Sequence, residues 1–358
     1  MFKSKRWNRW SLFLTALLVF ALLIGCGAPE ADEQAKGAND GSNVEQQAGK
    51  QDGKQGAAQQ KGKQKSKEED AQAEGSFPVS ITDARDEKVT IEKRPQRIVS
   101  LIPSNTEIAF ALGLGAEVVG VSDFDNYPEE VSSKEKIGGI EFDVEKIVSL
   151  KPDLVLAHAS SADSAKEGLK QLQQAGATVL VVNDATTFAD LYRSIEMIAE
   201  ATGTKAKAQE IVAGMKEKLD DMKREAEKIA ADERVTVWVE VAAPPEMYTT
   251  GTETFMHEML TAINATNAAG DVEGWAKFTE EDAVKQNPDV IVTTYGDYDK
   301  EAKKKILARK AWQDVPAVKH KRVYDVDPDT VTRPGPRLIE GVEQLAAVVY
   351  PDVFKKKK

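Results

Sequence analysis

Few side chains in this 358-residue chain stand where they could make or break bonds. The three histidines, His158, His257 and His320, are isolated from one another. His257 precedes Glu258 in a helix-like stretch, but Thr261 occupies the position where a zinc protease needs its second histidine. Gly113-x-Gly115 comes before a strand, not after one, so it is not a dinucleotide loop. No serine sits in a nucleophile elbow. Cys26 is the only cysteine, which excludes an intrachain disulfide and a cysteine metal site. We therefore expect no catalytic residue, no protein-held metal and no resident cofactor.

Aromatic and polar side chains recur on segments that follow strands. The candidate ligand contacts are Ser104, Asn105, Phe124, Tyr127 and Phe142 in the first half, and Tyr248, Trp275, Tyr295 and Arg333 in the second. His158, Ser160, Glu240, Phe278 and Tyr298 lie on the same kind of segment. Aromatics gather there although they make up only 6% of the chain. Their faces give broad contact at small rotamer cost, which suits a large planar or macrocyclic ligand. Taken singly, each serves equally well as a loop residue covering the core. Arg333 can grip an anionic oxygen in bidentate fashion, or brace the Pro334-Gly335-Pro336 turn. Isolated histidines suit a directly bound zinc or manganese ion poorly.

The elements that must position these residues alternate in type. Residues 97–102, 118–121, 153–157 and 178–182 read as strands, and 105–112, 144–150, 162–175 and 188–201 as helices. Ser104 is the expected N-cap of the first helix, with Glu107 in its first turn. Residues 204–232 lack proline, are rich in Ala, Glu, Lys and Met, and predict one rod of roughly 42 Å. Alternation then resumes, with strands at 235–241, 290–294 and 323–326 and helices at 254–263, 280–286 and 338–349. The pattern predicts an α/β fold of two Rossmann-like lobes, each with a central parallel sheet, joined by one long helix. The first lobe is expected over 77–203, the bridging helix over 204–232 and the second lobe over 233–358. Ligand sites favour such interfaces and the carboxyl ends of parallel strands.

The halves also repeat each other. Glu145 to Pro152 and Glu281 to Pro288 share a Glu-x6-Pro-Asp spacing followed by an apolar strand. Arg97-Ile-Val and Arg234-Val-Thr recur at nearly the same offset of about 136 residues, so we infer internal duplication.

The N-terminal stretch reads as a leader. Lys3, Lys5, Arg6 and Arg9 precede an apolar run over residues 11–24. The run, about 14 residues, is short for a bilayer span of ~20. Leu23-Ile24-Gly25-Cys26 resembles the lipobox of bacterial lipoproteins, which implies cleavage before Cys26 and lipidation of its thiol. An uncleaved anchor with a chance cysteine is the alternative. Residues 1–25 are then the signal peptide, and 26–76 the lipidated Cys26 plus a disordered tether. Gly27 to Gly75 contains no aromatic and one branched aliphatic, Val44. It cannot bury apolar surface, and its expected reach is roughly 40 Å. The full chain carries a net charge of −11, and losing the leader removes four positive charges more. That balance argues against nucleic acid and broad adhesion to anionic lipid. Lys355 to Lys358 read as a solvated end.

Four sets of residues carry a family resemblance. They are Arg97-Ile-Val-Ser-Leu-Ile-Pro-Ser-Asn-Thr-Glu107, Val119-Gly-Val-Ser-Asp-Phe-Asp-Asn-Tyr127-Pro128, the two Glu-x6-Pro-Asp repeats, and Arg333-Pro-Gly-Pro-Arg337. Together they make residues 77–354 similar to the substrate-binding lipoproteins of ABC importers for cobalamin and ferric siderophores. The resemblance implies the class III periplasmic-binding-protein fold, a monomer, and capture of a corrinoid between the lobes. A ferric siderophore or haem is the alternative ligand; a corrinoid or ferric chelate would bring its own metal. Haem would need an axial ligand, for which His158 or a cleft tyrosine could serve. Tyr127 and Trp275 match positions where cobalamin-binding relatives place stacking aromatics, whereas Gly139 departs from an aromatic in those relatives. The implied partners are a homodimeric ABC permease and its ATPase, with Glu145 and Glu281 as the docking residues. Paired charges on two lobes suit a symmetric partner. A first-turn glutamate also favours a helix by ~0.3–1 kcal/mol with no docking role. The implied location is the outer face of the cytoplasmic membrane, at a Gram-positive surface or in a periplasm, held by the lipid anchor alone. A surface-tethered enzyme and an adhesin are the outside alternatives. One stiff bridging helix predicts a small lobe closure.

Overall fold

The computed structural model describes residues 76–354; the expected leader, Cys26, the tether and the Lys355 to Lys358 tail lie outside the described residues. A hairpin of β1 (Val79–Thr82) and β2 (Lys88–Ile91) comes first. The first lobe runs β3 (Ile98–Ser100), α1 (Pro103–Ala111), β4 (Val118–Val121), β5 (Glu135–Lys136), α2 (Val144–Ser149), β6 (Leu154–His158), α3 (Ala159–Ala162), α4 (Lys166–Gln174), β7 (Thr178–Val182) and α5 (Phe188–Thr202). Helix α6 (Lys205–Ala226) bridges to the second lobe. That lobe begins with β8 (Thr236–Glu240), β9 (Met247–Thr250), α7 (Phe255–Ala262), β10 (Thr266–Asn267), β11 (Trp275–Phe278) and α8 (Glu280–Lys285). It ends with β12 (Val290–Thr293), α9 (Ala302–Leu307), α10 (Pro316–Lys319), β13 (Val323–Asp325), α11 (Pro328–Val331), α12 (Leu338–Val349) and α13 (Pro351–Phe354).

Both main sheets are parallel. The order is β5-β4-β3-β6-β7 in the first lobe and β10-β8-β12-β13 in the second. Every residue of β6 and β12 is buried, as helix-covered parallel strands require. In each lobe the chain winds outward from a founding strand, β3 or β8, and then crosses to its other side. The crevice between β3 and β6, and that between β8 and β12, is therefore a topological switch point.

The duplicated peptide explains why the lobes share this frame. Lys151 and Asn287 both end their helix in the left-handed region, at φ +50° and +48°. A proline follows, and then an aspartate that joins the founding strand. Asp153 N donates to Arg97 O at 3.0 Å, and its carboxylate accepts from Gln96 N and Arg97 N at 2.9 and 3.0 Å. Asp289 N donates to Thr236 O at 2.8 Å, and its carboxylate accepts from Thr236 N at 2.8 Å. One aspartate thus satisfies donors at the start of the neighbouring strand that have no ladder partner yet.

Three boundaries differ from expectation. Helix α1 starts at Pro103, with Ile102 as N-cap and no side-chain cap, so Ser104 lies inside the first turn. Proline is pre-organised for that first position and moves the start upstream. The segment expected to be one helix over 162–175 breaks between α3 and α4. The bridge is shorter than 204–232. Helix α6 has 22 residues, about 33 Å, and buries one stripe: Ala208, Val212, Met215, Leu219 and Ala226. Its last carbonyl, Ala226 O, accepts from Asn264 Nδ2 at 2.7 Å. This C-terminal cap comes from the second lobe, so no local signal in 204–232 announces it. Upstream, Gly203 at φ +72° ends α5 in the left-handed conformation that glycine takes without strain.

Candidate functional site

The loops after the strands bring chemistry to the two switch points. In the first lobe, Asn105 Nδ2 donates to Ala157 O at 2.9 Å and ties α1 to the end of β6. Ser104 and Asn105 are buried, and Ser104 Oγ and Asn105 Oδ1 have no hydrogen-bond partner among the described residues. His158 ends β6, buried, with Nδ1 2.9 Å from Ser160 Oγ. Burial pulls its pKa below the ordinary 6.5, against the opposing charge of Asp184. In the second lobe, fully buried Glu240 ends β8. Arg309 grips it with Nη1 and Nη2, both at 2.7 Å, and the Tyr295 hydroxyl donates to Glu240 Oε1. Burial and the Glu240 charge push the Tyr295 hydroxyl far above its usual range, so it stays a donor.

A buried ionic cluster joins the lobes. Glu107 Oε1 accepts from Arg333 Nη1 at 2.7 Å and from Arg337 Nη2 at 2.6 Å, and Oε2 accepts from Arg337 Nε at 3.0 Å. Arg333 also donates to Asn126 Oδ1 and Asp329 Oδ1, at 2.9 and 2.7 Å. Asn126 Nδ2 closes the network on Asp329 Oδ2 at 2.6 Å. Gly335 lets the Pro-Gly-Pro turn come this close, because a Cβ there would stand 3.1 Å from Glu107 Oε2. Arg333, expected as a grip for the ligand, holds Glu107 and Asn126 of the first lobe through Nη1 and Asp329 of its own lobe through Nη2. Arg337 lies 4.0 Å above the Tyr127 ring centroid, so one face of that 43%-exposed ring is occupied. A second interlobe bond runs from Phe188 N to Glu258 Oε2, 2.7 Å.

Other candidates separate into exposed and packed. Phe124 is 56% exposed and Trp275 48%. Trp275 opens β11 and sets its edge against Phe255, with ring centroids 6.3 Å apart. Gly139 falls at Trp275's position in the duplicated frame. A Cβ on Gly139 would stand 3.1 Å from the Phe124 ring, so Phe124 fills the space an aromatic at 139 would need. Phe142 is half-buried and packs into the first-lobe core against Gly168. Phe278 is half-buried and meets Trp238 edge-on, Tyr248 is half-buried on β9, and Tyr298 is 91% exposed. Glu145 and Glu281 are both exposed, each in the first turn of its helix. Among the described residues, no group of three or more His, Cys, Asp or Glu is placed to hold a bare metal ion. Sequence reasoning missed Arg309, Arg337, Asn126 and Asp329. Asn126 and Arg337 carried a signal, as members of the Val119 to Pro128 and Arg333 to Arg337 stretches.

A duplicated pair of parallel-sheet lobes with facing loops is the frame of a known group. The periplasmic binding protein family model matches residues 98–330. The chain belongs to this family. It is similar to an uncharacterized ABC transporter substrate-binding lipoprotein of Bacillus subtilis, 49% identical over 98% of this chain and 99% of that one. It is similar also to a cobalamin-binding protein of Halobacterium salinarum, 29% identical over 77% of this chain and 75% of that one. Among solved structures, a possible iron-binding (periplasmic solute-binding) protein of Staphylococcus epidermidis matches with a TM-score of 0.66 and 37% identity, covering 72% of this chain and 100% of that chain. The fold is class III, and the protein is the substrate-binding component of an ABC transporter. A component of this kind works outside the cytoplasmic membrane and hands a small molecule to a permease driven by an ATPase.

Proposed function

We propose that this periplasmic binding protein captures a corrinoid between its lobes and delivers it to a homodimeric permease. The observation that carries the ligand class is the pair of exposed aromatics, Trp275 on the second lobe and, beside the matching Gly139 on the first, Phe124. An exposed aromatic on each lobe suits a broad macrocycle. The metal belongs to the ligand, and the protein contributes no cofactor and no turnover. The 29% identity to a cobalamin-binding protein over three quarters of its length supports the same class. A ferric chelate is the second reading, favoured by the 37% likeness to the solved iron-binding candidate. Haem fits less well, since His158 is buried and the Tyr295 hydroxyl donates to Glu240.

The anchoring and docking parts follow the same reading. Cys26 carries the lipid, and the chain is a monomer on the outer face of the membrane. Glu145 and Glu281 meet basic sites on the permease, one per subunit. Thermal unfolding of residues 76–358 with cobalamin, a hydroxamate siderophore, a catecholate siderophore and haem tests the ligand. A ligand at 100 times its Kd adds about 2.7 kcal/mol to stability. Stabilisation by cobalamin alone supports the corrinoid; stabilisation by a ferric siderophore alone replaces it with the second reading. Glu145→Arg combined with Glu281→Arg should abolish uptake while ligand affinity stays intact, and surviving uptake would refute docking.

A further inference from the structure

The duplicated frame permits a residue-by-residue comparison of the two surfaces around Glu145 and Glu281. At the common offset, Gly138 and Gly274 both hold positive φ, +101° and +66°. Asp143 and Thr279 both cap their helix, accepting from Lys146 N at 2.9 Å and Asp282 N at 3.1 Å. Phe142 and Phe278 are both half-buried. The helix starts share this frame, although residues 275–278 form β11 while 139–142 hold only an isolated bridge from Gly138 to Phe142.

The second lobe has more acids at its helix start, Glu280 and Asp282 against Val144 and Lys146, but the first lobe is the more apolar and leaves its glutamate unpaired among the described residues. Glu281 is paired, with Lys285 Nζ at 3.0 Å, and Lys285 also meets Asp282 at 3.2 Å. Ser149 stands at Lys285's position in the first lobe and turns its hydroxyl to Lys146 O at 2.6 Å. Lys146 itself reaches Glu135 at 3.3 Å. Glu145 and Glu141 thus have no ion-pair partner among the described residues. Ile140 is 84% exposed where the second lobe has half-buried Ala276. Val148 is 39% exposed, whereas its counterpart Val284 packs into the second-lobe core. Val144 corresponds to Glu280, whose Oε1 accepts from the Trp312 indole at 2.9 Å. Beside Glu145 an open groove of about 290 Å³ runs between Ile140, Glu141, Phe142, Val144 and Gly168.

We propose that the two lobes dock unequally: the first lobe makes the dominant permease contact, its groove taking an apolar side chain from a permease loop while Glu145 pairs with a basic residue beside it. The inference rests on the docking reading of Glu145 and Glu281. Two unpaired carboxylates at the rim select a cationic loop, and the apolar groove selects its uncharged neighbour. Glu281 already shares its charge with Lys285, so its pull on a permease cation is weaker.

The test is binding of the full lipoprotein to its permease–ATPase complex in nanodiscs, measured across ionic strengths. Ligand binding by each variant serves as the folding control. Glu145→Gln should weaken the complex about tenfold and flatten its salt dependence, and Glu281→Gln by about threefold or less. Ile140→Ser should weaken it about tenfold with the salt dependence unchanged, because its contribution is apolar burial. Ala276→Ser should do nothing. A silent Ile140→Ser, or equal losses for the two glutamates, overturns the asymmetry while docking stands. If Glu145→Arg, Glu281→Arg and Ile140→Ser all leave binding unchanged, docking through this face falls as well.

Discussion

Removing the Glu107 carboxylate should loosen the whole two-lobe assembly. The Glu107 side chain is only 2% exposed, and those of Arg333 and Arg337 are 13% exposed. Glu107→Ala leaves two guanidinium groups facing each other with no shared anion. Arg333 keeps Asp329 and Asn126, whereas Arg337 keeps the Tyr127 ring face and the more distant charges of Asp329 and Asp327. Deleting one partner of a buried pair destabilises by about 3–5 kcal/mol. Part of that is recovered by Arg333's remaining partners, so the lower end applies. For a chain of this size each kcal/mol lowers Tm by about 2–4 °C, which gives a fall of roughly 6–12 °C. Calorimetry on the wild type, Glu107→Ala, Arg337→Met and the double variant measures the coupling. Contacting groups in one network should be non-additive by at least about 1.5 kcal/mol. A Tm loss under about 2 °C, or additivity within about 0.5 kcal/mol, would show that the cluster is not what holds the lobes together.

Four further outcomes are expected. Below the ordinary histidine pKa of 6.5 the unfolded chain takes up a proton that buried His158 refuses. Its contribution is therefore complete above that value and is lost as pH falls toward the lowered folded pKa; His158→Asn should flatten the slope of Tm between pH 7 and about 5.5. Thr187→Ala removes the capping box of α5, formed with Asp190, and should lower stability by ~1 kcal/mol in urea unfolding. Phe124→Ala and Trp275→Ala should each raise ligand Kd about tenfold without moving Tm of the free protein, as read by titration calorimetry. Lys151→Asn should raise Tm by a few degrees, because asparagine tolerates the left-handed backbone that lysine holds there at φ +50°; an unchanged Tm would mean that the site is not strained.

The fold was legible because its cues are local. Apolar runs at 118–121 and 178–182 became β4 and β7 with unchanged limits, and residues 338–349 became α12. The repeated Glu-x6-Pro-Asp peptide gave the duplication because proline and aspartate act within a few residues of themselves. The bridge end was not legible, since Asn264 caps it from 38 residues away. The interlobe cluster was less so. Glu107 meets Arg333 and Arg337 across 226 and 230 residues, and an arginine in sequence looks the same whether it awaits a ligand or a carboxylate. Arg333 illustrates the ambiguity: the chemistry suited to an anionic ligand is the chemistry that binds Glu107. The antiparallel pair of β9 and β11 that carries Trp275 was also missed, because its strands are four residues each, carry polar residues and are separated by α7 and β10.

Duplication explains why some of these positions can vary and others cannot. Pro152 and Pro288, Asp153 and Asp289, and the two left-handed residues before them build the frame, and each is satisfied by backbone contacts within its own lobe. Positions 139 and 275, or 140 and 276, point no such bond at the frame, and there the two lobes have diverged. At 139 the first lobe has lost a side chain, and Phe124 from the neighbouring loop supplies the apolar surface instead. At 140 it has gained an exposed isoleucine. On the proposed function, a symmetric scaffold would thus carry two asymmetric faces, one for the ligand and one for the permease. A broad ligand would call for an aromatic on each lobe, which Phe124 and Trp275 supply by different routes. Docking would call for the two exposed glutamates to steer the encounter and for the apolar groove beside Glu145 to decide how firmly it ends.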